Sequence, residues 1–248
     1  MIERPAWETG DAAADERLMA ELIGDLPREV VERRRGRDGG FSGWIVARTR
    51  FFDAVLIESL RAGVTQVVVL GAGYDGRALR YRTPNVRFFE VDHPATQADK
   101  LERLRETGAS VEGIVFVAAD FTEPGLGDAL DAAGHDPQRP SLFVCEGVLR
   151  YLPEPAYRGL LRVAGERAAA GSVLAVSIST RDDEPGERER AREGALAESG
   201  EAVLTVPPAA VALDWVAGAG WQVDEVHDAD AGAAGERRGR LLVRAHPR

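Results

Sequence analysis

Five runs of consecutive apolar residues punctuate the chain: QVVVLGAG (66–73), RFFEVD (87–92), GIVFVAAD (113–120), SLFVCEGV (141–148) and SVLAVSIS (172–179). Continuous apolarity, as opposed to alternation, marks strands covered on both faces. Between the runs, HPATQADKLERLRETG and EPAYRGLLRVAGERAAAG carry apolar residues at helical spacing and stop at glycine, as crossover helices do. The alternation predicts an α/β fold, doubly wound on a parallel sheet. PPAAVALDWVAGAG then reads as a further helix, with Pro at its start and Gly at its end, and WQVDEVHD and GRLLVRAH read as two late strands joined across ADAGAAGERR. A hairpin there makes one strand antiparallel in a mostly parallel, seven-stranded sheet.

Ahead of the sheet, DERLMAELIGDL and GWIVARTRFFDAVLIESLRAG have helical periodicity. Residues 181–202, RDDEPGERERAREGALAESGEA, are strongly charged with few large apolar residues, a composition suited to a mobile lid or an exposed helix. The expected organisation is a single domain with a helical cap (1–64), a ligand-binding core (65–180), a lid or insertion (181–206) and a C-terminal helix and hairpin (207–248).

Charge and composition narrow the partners. The formal net charge is −10 and no long basic block appears apart from the short ERRRGR (32–37), so a nucleic-acid partner is not expected. With one cysteine, Cys145, no disulfide can form within the chain, and no Cys/His cluster has zinc-ligand spacing, so no metal is expected. The charged start lacks the apolar core of a signal peptide, and no apolar run approaches the ~20 residues of a membrane helix. A cytoplasmic location with no membrane partner is the expectation; self-association is left open.

The chemistry concentrates at the ends of the apolar runs. Gly71, Gly73 and Gly76 spell the G-x-G-x-x-G of a dinucleotide turn, and backbone close approach at such a turn serves any nucleotide-like ligand. Asp92, Asp120 and Glu146 end the second, third and fourth runs, where an open sheet binds its ligand. Three acidic strand ends, with Asp75 beside the helix start, suit a ligand bearing amines and hydroxyls better than a pyrophosphate.

ARTRFFDAVL, VVVLGAGYDGRALR, FFEVDHPATQADK, AADF and CEGVLRYLP, in this order, resemble the leucine carboxyl methyltransferase family of S-adenosylmethionine-dependent enzymes, from about Arg48 to Leu152. The resemblance implies a class I methyltransferase fold and a cofactor site. Arg48 matches the arginine that pairs with the methionine carboxylate, Gly71, Ala72 and Gly73 form the turn beside the methionine portion, and Asp92 takes the ribose. Asp120 and Phe121 match the pair flanking adenine, and Glu146 the glutamate near the methionine ammonium. Where the family turn usually has Thr, this chain has Gly76, which creates the dinucleotide match.

The expected activity is O-methylation of a carboxylate or acidic hydroxyl of a small molecule, with a role in natural-product biosynthesis as one setting. Tyr151 is the candidate acceptor contact, and the lack of an obvious catalytic histidine favours an acceptor that is already ionised. The competing readings are a nicotinamide-dependent oxidoreductase, on the literal glycine motif, and an inactive binding protein that keeps the fold.

Overall fold

The structure is a computed structural model that describes residues 39–181, 203–228 and 239–248, with side chains from residue 47 onward. In chain order the elements are α1 (Gly39–Arg61), β1 (Gln66–Leu70), the single turn α2 (Arg77–Arg80), β2 (Arg87–Asp92), α3 (Pro94–Thr107), β3 (Ile114–Ala118) and α4 (Leu126–Ala132). They continue as β4 (Ser141–Cys145), a 3-10 turn (Leu149–Tyr151), α5 (Glu154–Glu166), β5 (Val173–Ser179), α6 (Ala209–Gly218), β6 (Trp221–Asp228) and β7 (Arg240–Pro247).

The seven strands lie in the order β3-β2-β1-β4-β5-β7-β6, all parallel except β7, which runs antiparallel to both its neighbours. The chain winds outward from β1 to β3 and then returns to place β4 on the other flank of β1. The strand order therefore reverses between β1 and β4, where open α/β sheets bind ligands. Register makes the ends level: Leu70 pairs with Val91 on one side and Cys145 on the other. Gly71, Asp92 and Glu146, each one residue further along, consequently emerge side by side.

Both faces of the sheet are covered, as continuous apolar strands require. Val67 and Val69 face Phe52 and Leu56 of α1, while Val68, Phe89 and Phe143 face Leu130 of α4, Leu160 of α5 and Val216 of α6. Phe52 and Leu56 are fully buried, each stabilising the fold by about 1.5–3 kcal/mol relative to exposure. Cys145 is a buried core residue whose thiol is pushed up to about 12, by burial first and then by Glu146.

Helix ends follow the local chemistry. α3 begins at Pro94 behind His93, whose Nδ1 accepts from the Ala95 N–H at 3.2 Å, and stops at Gly108 in the left-handed region, φ +66°. α4, in GLGDALDAAG, has too little apolar periodicity to stand out in the sequence. Of the expected lid, residues 182–202 lie outside the described residues, as does the expected helix DERLMAELIGDL. Residues 203–206 are held: Leu204 and Thr205 donate their N–H groups to the Arg150 carbonyl (2.9 and 3.2 Å), and Thr205 Oγ1 donates to the Leu152 carbonyl at 2.6 Å. Arg181 bridges to Pro208, so the chain leaving β5 and the chain entering α6 meet. Among the described residues, no helix is long and apolar enough to cross a membrane.

Candidate functional site

Beyond Leu70 the chain turns through Gly71 and Gly73 in left-handed conformations, φ +71° and +46°. A β-carbon on Gly71 would in addition run into the Val148 side chain. The N–H groups of Gly71 and Ala72 both donate to the Val91 carbonyl, at 2.8 and 3.0 Å, which fastens the turn to β2. Asp92 completes the attachment: its Oδ2 accepts from the Gly73 N–H at 2.5 Å and its Oδ1 from the His93 N–H at 2.7 Å. Each oxygen keeps a second lone pair for a ligand hydroxyl.

An open cleft of about 270 Å3 lies over these strand ends, walled by Gly71, Asp92, Asp120, Phe121, Val148 and Tyr151 among others. Five residues singled out in the sequence thus share one cavity. Asp120 is partly committed to a local turn: its Oδ1 accepts from the Thr122 hydroxyl (2.7 Å) and N–H (2.8 Å), and these hold the carboxyl below its ordinary range. Tyr151 is 39% exposed, with the Arg150 guanidinium 5.5 Å from its ring centre.

Arg48 and Glu146 form a charged group next to the cleft, and Gly147, φ +73°, joins the two. Gly147 lines the cleft, and a β-carbon on it would stand 3.7 Å from Arg48 Nη1. Arg48 Nε lies 2.6 Å from Glu146 Oε1. The other carboxylate oxygen is taken by Arg77, with Nη1 2.5 Å from Glu146 Oε2. The same Nη1 reaches Asp75 Oδ2 at 2.6 Å, and Arg77 Nε reaches Asp53 Oδ1 at 2.8 Å. Arg77 is only 5% exposed. Burial by itself works against its charge, but the carboxylates of Asp75, Glu146 and Asp53 raise its pKa above the ordinary arginine range. Arg80 adds a second cation on Asp53 at 3.2 Å.

The sequence had not singled out Asp53 or Arg77 as parts of the site. The readable signal was Asp53 inside the apolar stretch FFDAVL and the polar turn YDGRALR directly after a buried strand, since a charge in such a place requires a partner. Glu90 carries the same signal within RFFEVD. It is paired with Lys100 at 2.6 Å, both almost wholly buried, and Lys100 also donates to the Asp75 carbonyl at 2.8 Å.

Two features dispose of the dinucleotide motif. Gly76 sits at φ −96°, a conformation open to any residue, so the third glycine is not demanded by the backbone. The helix after the turn has four residues, too short to offer the extended N-terminal dipole that holds a pyrophosphate. The Asp75 charge, in contrast, carries less weight than the sequence suggested, because Arg77 neutralises it.

Comparison with known proteins gives the family. A family model described as leucine carboxyl methyltransferase matches residues 9–164. A Streptomyces coelicolor protein named for S-adenosyl-L-methionine-dependent methyl transfer is 39% identical over 199 residues, covering 79% of this chain and 68% of its own length. A Frankia alni protein of the same name is 38% identical over 204 residues, 82% and 69% of the two chains. Among solved structures, a Thermobifida fusca protein named as a methyltransferase superposes with a TM-score of 0.65 at 16% identity over 94% of both chains. A DUF574 family protein of Streptomyces avermitilis does so with 0.65 at 18% identity over 94% and 96%. Those two share the fold. With the motifs from the glycine turn to Glu146 falling inside the matched segment, the chain belongs to the leucine carboxyl methyltransferase family.

Proposed function

We propose that this chain transfers a methyl group from S-adenosylmethionine to a carboxylate oxygen of a small-molecule acceptor. The observation that supports it is the cleft over the strand ends, running from Phe121 and Asp120 past Asp92 and Gly71 and adjoining the Arg48–Glu146 pair. The residues suit the cofactor: an apolar ring beside one carboxylate for adenine, the spare lone pairs of Asp92 for ribose, a turn with no room for a β-carbon, and one cation and one anion for an amino-acid end.

When bound, S-adenosylmethionine supplies a methyl group activated on a sulfonium. The chain's part is to hold and orient. Asp92, kept rigid by two backbone N–H groups, fixes the ribose; Arg48 offers two parallel N–H donors to a carboxylate; Glu146 accepts from an ammonium. Tyr151 and the segment anchored at Arg150 and Leu152 border the place for the acceptor, where positioning and exclusion of water supply most of the acceleration.

The cleft favours an acceptor that is ionised before it arrives. His93 is the imidazole at the cleft, and its Nδ1 accepts from the Ala95 N–H, so the neutral ring carries its proton on Nε2 and has no free lone pair to act as a base. Asp120, held low by Thr122, is a weak base. A carboxylate needs neither.

The test has two arms. Calorimetry with S-adenosylhomocysteine and with NADH separates this reading from a nicotinamide enzyme, with heat expected only for the former. Turnover with methyl-labelled S-adenosylmethionine against matched carboxylic acids, phenols and alcohols is expected to give base-labile methyl esters. Label confined to phenols would move the acceptor class, and no label in any product would leave a binding protein.

A further inference from the structure

We infer that Arg77 is a positioning residue that holds Glu146 in place while Arg48 exchanges Glu146 for the cofactor's carboxylate. The inference rests on the cofactor reading above. Glu146 has two cationic partners of different character. Arg77 is buried, fastened at Nε by Asp53 and at Nη1 by Asp75, with its guanidinium carbon 5.3 Å from the Phe52 ring centre. Three sides are fixed, so it cannot swing. Arg48 comes from α1, and its side chain is 28% exposed. Of the two, Arg48 is the one with room to change partner.

Charge dictates what such an exchange can accept. Among the described residues, Arg48, Arg77 and Arg80 face Asp53, Asp75 and Glu146, three cations against three anions. Drawing Arg48 to an incoming carboxylate releases Glu146 Oε1, and the cluster stays balanced only if a cation arrives on that oxygen. An amino-acid end brings both charges at once. A ligand with only one of them leaves either a guanidinium or a carboxylate partly buried without its partner, which is costly. Throughout, the contact between Arg77 Nη1 and Glu146 Oε2 keeps the freed oxygen aimed at the ammonium. Without it Glu146 has no fixed direction once Arg48 leaves.

The experiment compares S-adenosylhomocysteine, which carries the zwitterionic end, with 5′-deoxy-5′-methylthioadenosine, which lacks it. Calorimetry on wild type and on Arg77→Lys is expected to show a ten- to hundredfold loss for S-adenosylhomocysteine and a change of less than about twofold for the nucleoside, since one charged hydrogen bond to Glu146 is removed and the ribose contacts are not. Equal losses for both ligands would make Arg77 a purely structural residue and overturn the inference; so would no loss for either. Should Arg77→Lys unfold, Asp53→Asn loosens Arg77 from the opposite side without touching Glu146, and the same selective loss is expected. Unselective loss or none in that variant overturns it equally. If wild type binds neither ligand, the cofactor reading fails and the inference goes with it; if wild type binds both and the ratio never moves, only the role of Arg77 falls.

Discussion

At Asp92 three demands meet: it ends β2, it anchors the glycine turn, and it keeps lone pairs toward the cleft. Asp92→Ala is expected to weaken S-adenosylhomocysteine binding ten- to hundredfold, about 1.5–3 kcal/mol, measured by calorimetry, and to cost some stability through the orphaned Gly73 N–H. Gly71 makes a sharper case. Gly71→Ala meets both the left-handed backbone, about 1–2 kcal/mol, and the Val148 side chain. A denaturant series should show Gly71→Ala/Val148→Ala recovering the packing part and not the backbone part. The site's carboxylates at strand ends were legible because apolar runs announce where strands stop. Asp53 and Arg77 were not, because their meaning lies in each other: 24 positions separate them, and only the packing of α1 against β1 brings them together.

Among the elements, the strands β1 to β5 and the helices α3, α5 and α6 could be read from the pattern of apolar positions, while α4 and the 3-10 turn could not. α4 has only seven residues, and its buried Leu126 and Leu130 are too few to raise a pattern. Of the stretch expected as a lid, 181–206, the last residues are tied to the turn that carries Tyr151, through Leu204 and Thr205. Replacing residues 182–202 with a short Gly/Ser linker is therefore expected to leave S-adenosylhomocysteine affinity unchanged while acceptor turnover falls. The two kinetics should separate cleanly, because Arg48, Asp92, Asp120 and Glu146 all lie outside that stretch. Thr205→Val, which removes the hydroxyl donor to Leu152, is expected to raise the acceptor KM severalfold with cofactor affinity intact.

Over the whole molecule, polar chemistry sits at both ends of the sheet for different reasons. At the amino ends of β1 and β4, buried Gln66 donates to Ser141 Oγ at 3.1 Å, and His135 Nε2 lies 3.0 Å from the same oxygen. Burial, with Arg167 nearby, pushes the His135 pKa down to about 4. The unfolded chain then takes up a proton near pH 6.5 that the folded chain refuses until about 4, so the His135 contribution is full above 6.5 and is lost as pH falls to 4. Glu90 opposes this: burial, outweighing the attraction of Lys100, pushes it up to about 7, so the folded state gains its proton first as pH falls. The measurement is thus a difference. Urea midpoints of wild type and His135→Gln, taken between pH 7 and 4.5, should diverge, with wild type losing more toward acid. The five residues of β1 put this network roughly 17 Å from the cleft. The His135 share of acid tolerance consequently lies apart from the candidate site, unlike that of Glu90, which feels Asp75 and Asp92, and His135→Gln is expected to extend the usable pH range of the protein while leaving its kinetics as an unaltered reporter.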